Sequence, residues 1–242
     1  MEKFRTATYE VHNPKIKKSV RFAVLADLHG SIFGEENSAL LKKIQENAPD
    51  AILLAGDMVV RMDPFTLETA RKLLCTLAKN FPIFYAMGNH ETKMKAKGHL
   101  YRNEYLKYQA ELKQKGICFL ANEKSKVVLP GNSFVVNGLE LPLEYYHKPF
   151  SPKLTSEKME ELMGKPDPEL PCAFLSPLRF HFYKNQLSWI MDPKRHCVFP
   201  KACTYDHTFA IFEKSPQQYF GKGINWELMA PTCLEKRSTP PW

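Results

Sequence analysis

Three short polar motifs in the N-terminal half of the chain carry side chains that could bind metal ions. They are Asp27-Leu28-His29, Gly56-Asp57 and Gly88-Asn89-His90-Glu91, and each follows an apolar run. Carboxylate, amide and imidazole groups supply the oxygen and nitrogen ligands that divalent transition metals take, and no thiolate is among them. Residues i and i+2 of a strand face the same way, so Asp27 and His29 could both point at one ion beyond a strand end.

Taken singly, each motif also has a purely structural explanation. His29 could cap a helix or form a local hydrogen bond, and Asp57 could be the N-cap of a helix. Three such motifs in this order, each after an apolar run, are much harder to obtain by chance. Their conjunction therefore favours a metal site.

The elements around these motifs predict an α/β fold. The alternation of apolar runs with helical spacing is typical of a layered fold in which helices cover a largely parallel central sheet. Because the carboxyl ends of parallel strands meet at one edge, we expect the three motifs to converge there. The predicted strands are 21–26, 51–55, 83–86 and 117–120, with a hairpin of 126–129 and 133–136, and the predicted helices are 35–47, 64–81, 101–115 and 156–163.

Together the three motifs resemble the first three signatures of the calcineurin-like metallophosphoesterase superfamily. Within it, the chain is similar to bacterial predicted phosphohydrolases and phosphodiesterases, over about residues 10–172. The resemblance implies a layered sheet sandwich with flanking helices. It also implies two divalent metal ions (manganese, iron or zinc) and a phosphomonoester or phosphodiester substrate, hydrolysed at a dinuclear centre.

The resemblance also implies a role for each site residue. Asp27 and His29 would bind the first metal, Asp57 would bridge both metals, and Asn89 would bind the second. His90 would lie beside the phosphoryl group, where it would hydrogen-bond this group or protonate the leaving oxygen. These roles suit the chemistry, because a carboxylate has two oxygens with which to bridge, whereas an amide has one neutral carbonyl.

The second half of the family's site is missing from the sequence. The family pattern requires a strand that ends in His-x-Pro and a later Gly-His-x-His. Here Pro177 stands where the ligand histidine is expected, and no Gly-His-x-His occurs. We therefore expect weak binding of the second metal and poor catalysis. The alternative is a non-catalytic remnant that binds metal or phosphate, and His207, beside Asp206, is either a substitute ligand or a surface histidine.

Composition changes where these motifs fail. From Cys172 onward the chain has four of the six cysteines but only five of the 26 acidic residues, and periodicity fades after Lys184. The run 221–231 matches no recognisable element. We predict that residues 1–171 form the N-terminal part of a metallophosphoesterase domain. Residues 172–242 would be a tail that is either frameshifted or naturally divergent.

The net charge and the cysteine content limit which partners and which cellular compartment are expected. The net charge is +8, but the basic residues are dispersed, which favours a solvated basic surface and leaves nucleic acid open as a partner. The segment Tyr145 to Phe150 interleaves aromatic and basic groups, so it could stack a nucleobase or pack as a loop. No paired-cysteine motif and no long apolar run occur, so we expect a cytoplasmic protein without a membrane segment.

Overall fold

Two β-sheets stacked face to face, with helices on both outer sides, make up the structure. It is a computed structural model. It describes residues 4–12, 15–146, 152, 154–165, 167, 169–175, 197–198 and 223–231.

The first sheet carries the strands that precede the polar motifs. Its strands are β1 (Phe4–His12), β2 (Val20–Leu25), β3 (Ala51–Ala55), β4 (Ile83–Ala86), β5 (Cys118–Leu120) and, late in the chain, β10 (Gly223–Pro231). The order across the sheet is β1-β10-β2-β3-β4-β5. Strands β10, β2, β3, β4 and β5 are parallel, and β1 runs antiparallel to β10 at the edge.

The second sheet is smaller and mixed. It consists of β6 (Glu123–Leu129), β7 (Asn132–Gly138), β8 (Cys172–Leu175) and β9 (Cys197–Val198), in that order. Strands β6 and β7 form the predicted hairpin, which turns at Gly131 with a φ of 78°. Strand β8 begins at the first residue of the predicted tail and pairs in parallel with β7. The domain boundary between residues 171 and 172 stays a prediction.

Helices cover the outer faces of both sheets. They are α1 (Ser38–Asn47), α2 (Phe65–Leu77), α3 (Asn89–Lys95), α4 (Arg102–Gln114) and α5 (Ser156–Met163), with short 3-10 helices at Glu35–Asn37 and Leu143–Tyr146. The apolar stripe of α2 is buried, as its helical spacing predicts. Within the described residues, no helix combines the length and the apolar character needed to cross a bilayer.

Successive side chains along the central strands of the first sheet point alternately to its two faces, and each face forms its own hydrophobic core. In β2, Ala23 and Leu25 pack against the helices, whereas Phe22 and Val24 pack against the second sheet. Side chains of β3 and β4 alternate in the same way. A third cluster joins α5 to the outer face of the second sheet through Phe174. Because the central strands are buried on both faces, they read as continuous apolar runs.

The layered α/β fold predicted from the sequence is confirmed, and several elements differ in detail. The helix predicted from residue 35 becomes regular only at Ser38, because Glu36 and Asn37 have φ values of 48° and 67°. Strands β1 and β10 and helix α3 were not predicted. In β10 the alternation of Ile224, Trp226 and Leu228 with polar residues has the period of a strand, in a run that had matched no element.

Truncation of Phe22 should test the packing between the sheets. Its ring meets that of Phe134 edge to face, with centroids 5.6 Å apart. We expect Phe22→Ala to lower the free energy of unfolding by about 3–5 kcal/mol, because it leaves a cavity between two sheets. Urea denaturation would measure this. The control Val128→Thr, on a side chain that is 75% exposed, should change it by less than about 0.5 kcal/mol, and an equal effect of both variants would contradict the packing.

Candidate metal centre

The loops that follow β2 and β3 run side by side at the carboxyl edge of the first sheet. The Asp27 N–H donates to the Gly56 carbonyl at 3.2 Å, and the His29 N–H donates to the Asp57 carbonyl at 3.0 Å. A third bond joins Gly30 N–H to the Met58 carbonyl at 2.9 Å. These bonds extend the pairing of the two strands into the loops, so the motifs are held at a fixed separation.

Three of the predicted site residues have left-handed backbone conformations. The φ values are 53° for Asp27, 49° for His29 and 53° for Asp57. This conformation costs a non-glycine residue on the order of 1–2 kcal/mol. Strain of this kind persists only where the surroundings impose it, and it is concentrated at functional sites. Here the hydrogen bonds between the two loops impose it.

All five predicted site residues lie in one place, with Asp57 at the centre. The Asp57 side chain is buried; its Oδ2 accepts a hydrogen bond from Asn89 Nδ2 at 2.8 Å, and its Oδ1 accepts from the His90 N–H at 2.9 Å. His29 Nε2 lies 3.9 Å from Asp27 Oδ1, and the His29 and His90 ring centroids are 4.9 Å apart. Ligand atoms of His29, Asp57 and His90 lie within 4.8 Å of one another, close enough to surround one ion.

The orientation of Asn89 differs from that of a metal ligand. Its amide nitrogen, rather than its carbonyl oxygen, faces Asp57. A metal between the two residues would require the amide to present Oδ1 instead, because only the oxygen has a lone pair available for a cation.

His90 is held in a defined tautomer. Its Nδ1 accepts a hydrogen bond from the backbone N–H of Arg61 at 2.9 Å. A ring nitrogen that accepts a hydrogen bond carries no proton, so neutral His90 carries its proton on Nε2. The imidazole can therefore donate a hydrogen bond from Nε2–H.

The electrostatics of the site favour a bound cation. Burial raises the pKa of Asp27 to about 7, and the negative charge of Glu91 contributes to the shift. Burial raises the pKa of Asp57 well above its usual value, and the charges of Glu91 and Asp27 add to this effect. Among the described residues, neither aspartate forms an ion pair with a lysine or arginine. The donor set and its uncompensated charge thus fit divalent metal ions.

Glu91 is a functional residue to which the sequence assigned no role. Its side chain is completely buried and accepts four hydrogen bonds, from the backbone N–H groups of Asp57, Met58 and Gly88 and from the Tyr85 hydroxyl, at 2.8–3.0 Å. The carboxylate thereby ties the loop after β3 to the loop after β4. The spacing Gly88-x-x-Glu91 is that of one half of a capping box, and this was the available signal.

Gly88 is required where these two loops touch. A β-carbon at this position would overlap the Asp57 backbone nitrogen and carboxylate and the Glu91 carboxylate. Any side chain at residue 88 would therefore push Asp57 out of place.

The sequence-based expectations about the missing half of the site concern residues that the structure does not describe. Pro177, His181, His196 and His207 all lie outside the described residues, as does the segment from His147 to Phe150.

Comparison with known proteins identifies the family. The family model for calcineurin-like phosphoesterases matches residues 20–199. The chain belongs to this family. It is accordingly assigned to the metal-dependent phosphoester hydrolases, and the family implies divalent metal ions. No curated protein matches the chain significantly.

Eight chains of solved structures match the fold. One is a phosphopantetheinyl hydrolase from Mycobacterium tuberculosis, with 12% sequence identity and a TM-score of 0.49 over 93% of this chain and 100% of that one. This similarity is too loose to indicate a substrate.

Replacing the Glu91 carboxylate should lower both the stability of the fold and the affinity of the site for metal. Glu91→Gln leaves one acceptor oxygen for four donors and turns an amide N–H₂ toward backbone N–H groups. We expect a loss of about 3 kcal/mol in the free energy of unfolding, together with weaker metal binding. Urea denaturation and metal titration would measure these effects. Glu104→Gln, on the exposed side of α4, is the matched control, and similar stability of both variants would contradict the role of Glu91.

The metal-free protein should lose stability as the pH rises from about 4 to about 7. The pKa of Asp27 is about 7 in the folded protein, above its ordinary value of 3.8, so the folded state binds this proton more tightly than the unfolded state does. The contribution, up to about 4 kcal/mol, is complete below the unfolded pKa and lost by about pH 7. Denaturation in EDTA across this range should show it, and Asp27→Asn should have a shallower dependence. Identical pH profiles would contradict the shift.

Proposed function

We propose that the protein hydrolyses phosphomonoesters or phosphodiesters at a dinuclear metal centre in which Asp57 is the bridging ligand. One observation carries this proposal: the two oxygens of the buried Asp57 carboxylate are directed to different neighbours, Asn89 and the His90 backbone. Asp27 and His29 lie at the adjacent strand end and complete the first metal site. Asn89 would serve the second metal by turning its carbonyl oxygen inward.

The residues around the proposed centre have separate tasks. Divalent ions held there would polarise the phosphoryl group and make a water molecule acidic enough to attack it. His90 would donate a hydrogen bond from Nε2–H to the phosphoryl group or the leaving oxygen, since its Nδ1 already accepts from the Arg61 N–H. Glu91 would keep Asp57 in position by accepting a hydrogen bond from its backbone N–H.

The two metals should bind with unequal affinity. Asp27, His29 and Asp57 supply the first, whereas Asp57 and Asn89 are the ligands assigned to the second. Two ligands are few for a tight site. The family's motifs for further imidazole ligands are missing, because Pro177 stands at the expected histidine and no Gly-His-x-His occurs. We therefore propose a hydrolase whose turnover depends on added metal; the oxygen and nitrogen ligands suit manganese, iron or zinc.

Sequence composition supports a cytoplasmic location and an anionic substrate. Cys75, Cys118 and Cys172 are free thiols, as expected in a reducing compartment. The net charge of +8 favours binding of a phosphate-bearing substrate, and it is also compatible with binding of nucleic acid.

Hydrolysis of an aryl phosphodiester tests the proposed chemistry. Protein loaded with manganese should hydrolyse bis(p-nitrophenyl) phosphate, and Asp57→Asn should lower kcat/KM by at least about 100-fold, since an amide cannot bridge two cations. Asp50→Asn, at the opposite end of β3 where the side chain accepts from Arg21 N–H, is the matched control. Full activity in EDTA-stripped protein would rule out the metal mechanism. A soluble protein that binds metal but shows no turnover would favour the non-catalytic remnant.

Calorimetric titration tests the inequality of the two sites. We expect one tight and one weak manganese site per chain, with both affinities reduced in Asp57→Asn and only the weak one reduced in Asn89→Ala. Two equally tight sites would contradict the assignment of two ligands to the second metal.

A further inference from the structure

The Tyr146 hydroxyl is buried beside the candidate metal centre, and no described residue forms a hydrogen bond with it. Tyr146 is the last residue of the 3-10 helix Leu143–Tyr146, which packs against α3. Its hydroxyl oxygen is inaccessible to solvent and has no hydrogen-bond partner among the described residues. Buried hydroxyls in native proteins almost always have a partner, so this one calls for an explanation.

The position of the ring on α3 places Tyr146 next to the site. Lys93 Nζ lies over the ring, 5.7 Å from its centroid. Lys93 and its neighbour Thr92 are one helical turn beyond Asn89, and residues at such spacings share a helix face. Tyr146 therefore covers the face of α3 that begins with Asn89, whose amide donates to Asp57.

The electrostatic environment of the Tyr146 hydroxyl agrees with a position next to the candidate metal centre. Burial raises the pKa of Tyr146, and the negative charge of Asp57 raises it further. The phenol thus lies within electrostatic reach of the Asp57 carboxylate. It also stays protonated at physiological pH, so it is available as a donor toward an anion.

Nearby polar groups do not satisfy the hydroxyl. The Glu140 carboxylate accepts from Thr92 Oγ1 at 3.1 Å and from Lys95 Nζ at 2.7 Å. The Thr92 side chain and the Leu141 backbone lie close to the phenol oxygen on the donor side, where they lower its pKa. Among the described residues, no group accepts a hydrogen bond from the phenol O–H. The described structure therefore holds a protonated donor, next to the metal centre, with its acceptor still to be supplied.

We propose that Tyr146 is a substrate-binding residue whose O–H donates a hydrogen bond to a non-bridging oxygen of the phosphoryl group bound beside Asp57 and Asn89. This rests on the proposed function of the site as a phosphoester-binding centre. The ligand would supply the acceptor that the described residues do not provide. The ring contact with Lys93 orients the phenol, and the ammonium group adds positive charge on the side from which the anion binds.

Removal of a single oxygen atom tests the inference. Tyr146→Phe keeps the ring and its contact with Lys93. In manganese-loaded protein we expect the dissociation constant of inorganic phosphate and the KM for bis(p-nitrophenyl) phosphate to rise about tenfold, with a smaller change in kcat. Manganese affinity should be unchanged. Because the lost hydroxyl has no hydrogen-bond partner in the described part of the chain, Tyr146→Phe should be at least as stable as the parent in urea.

Tyr105→Phe is the matched control. Tyr105 is also a tyrosine with a shielded ring, and it is fully buried, but its hydroxyl donates to Met87 Sδ at 3.3 Å. This variant should leave phosphate binding unchanged and should not gain stability. A structural role for the Tyr146 hydroxyl would instead lower the stability of Tyr146→Phe and leave the phosphate dissociation constant unchanged, which would overturn the inference.

Phosphate titration separates this inference from the proposed function. If the parent protein binds phosphate but does not turn over, and Tyr146→Phe binds it more weakly, the hydrolase proposal fails and the role of Tyr146 stands. If the parent turns over and the variant matches it within about twofold in KM and phosphate affinity, the role of Tyr146 is refuted and the hydrolase stands. A parent protein that neither turns over nor binds phosphate would refute both.

Discussion

The buried carboxylate of Glu91 is the constraint on which the rest of the site depends. It accepts hydrogen bonds from the backbones of Asp57, Met58 and Gly88 and from Tyr85, so it joins the ends of two neighbouring strands through one side chain. A charge with no solvent exposure is tolerated only when such donors surround it. The three backbone donors belong to the two loops and all bond to this one side chain, so loop geometry and carboxylate stabilise each other.

The same charge that organises the loops makes the site unfavourable without a cation. Glu91 contributes to the raised pKa values of Asp27 and Asp57, although burial is the larger cause in both. Three carboxyl groups lie together at one sheet edge, with no lysine or arginine paired to the two aspartates among the described residues. Part of the folding free energy is thus spent on repulsion that divalent ions would relieve, which is the expected trade between stability and function at a metal centre.

The sequence predicted the convergence of the polar motifs better than the elements that support them. Asp27, His29 and Asp57 follow apolar runs, and the rule that parallel strands end at one edge was enough to bring them together. Helix α3 was missed because its seven residues, Asn89–Lys95, form no apolar stripe. The role of Glu91 depends on complete burial, and the tautomer of His90 depends on a backbone N–H from Arg61. Neither feature can be read from spacing, since both arise from contacts between segments about 30 residues apart.

The two sides of the site are built differently, and this difference bears on specificity. The side with Asp27 and His29 consists of loops tied to one another by backbone hydrogen bonds, so its geometry follows from the central sheet. The other side is covered by Leu143–Tyr146, a segment that follows β7 and packs on α3. A phosphoryl group between these two sides would be held by metal ions at the sheet edge and by a single phenol from the covering segment. In such an arrangement the sheet determines the reaction, and the segment after β7 is free to determine which phosphoester is accepted.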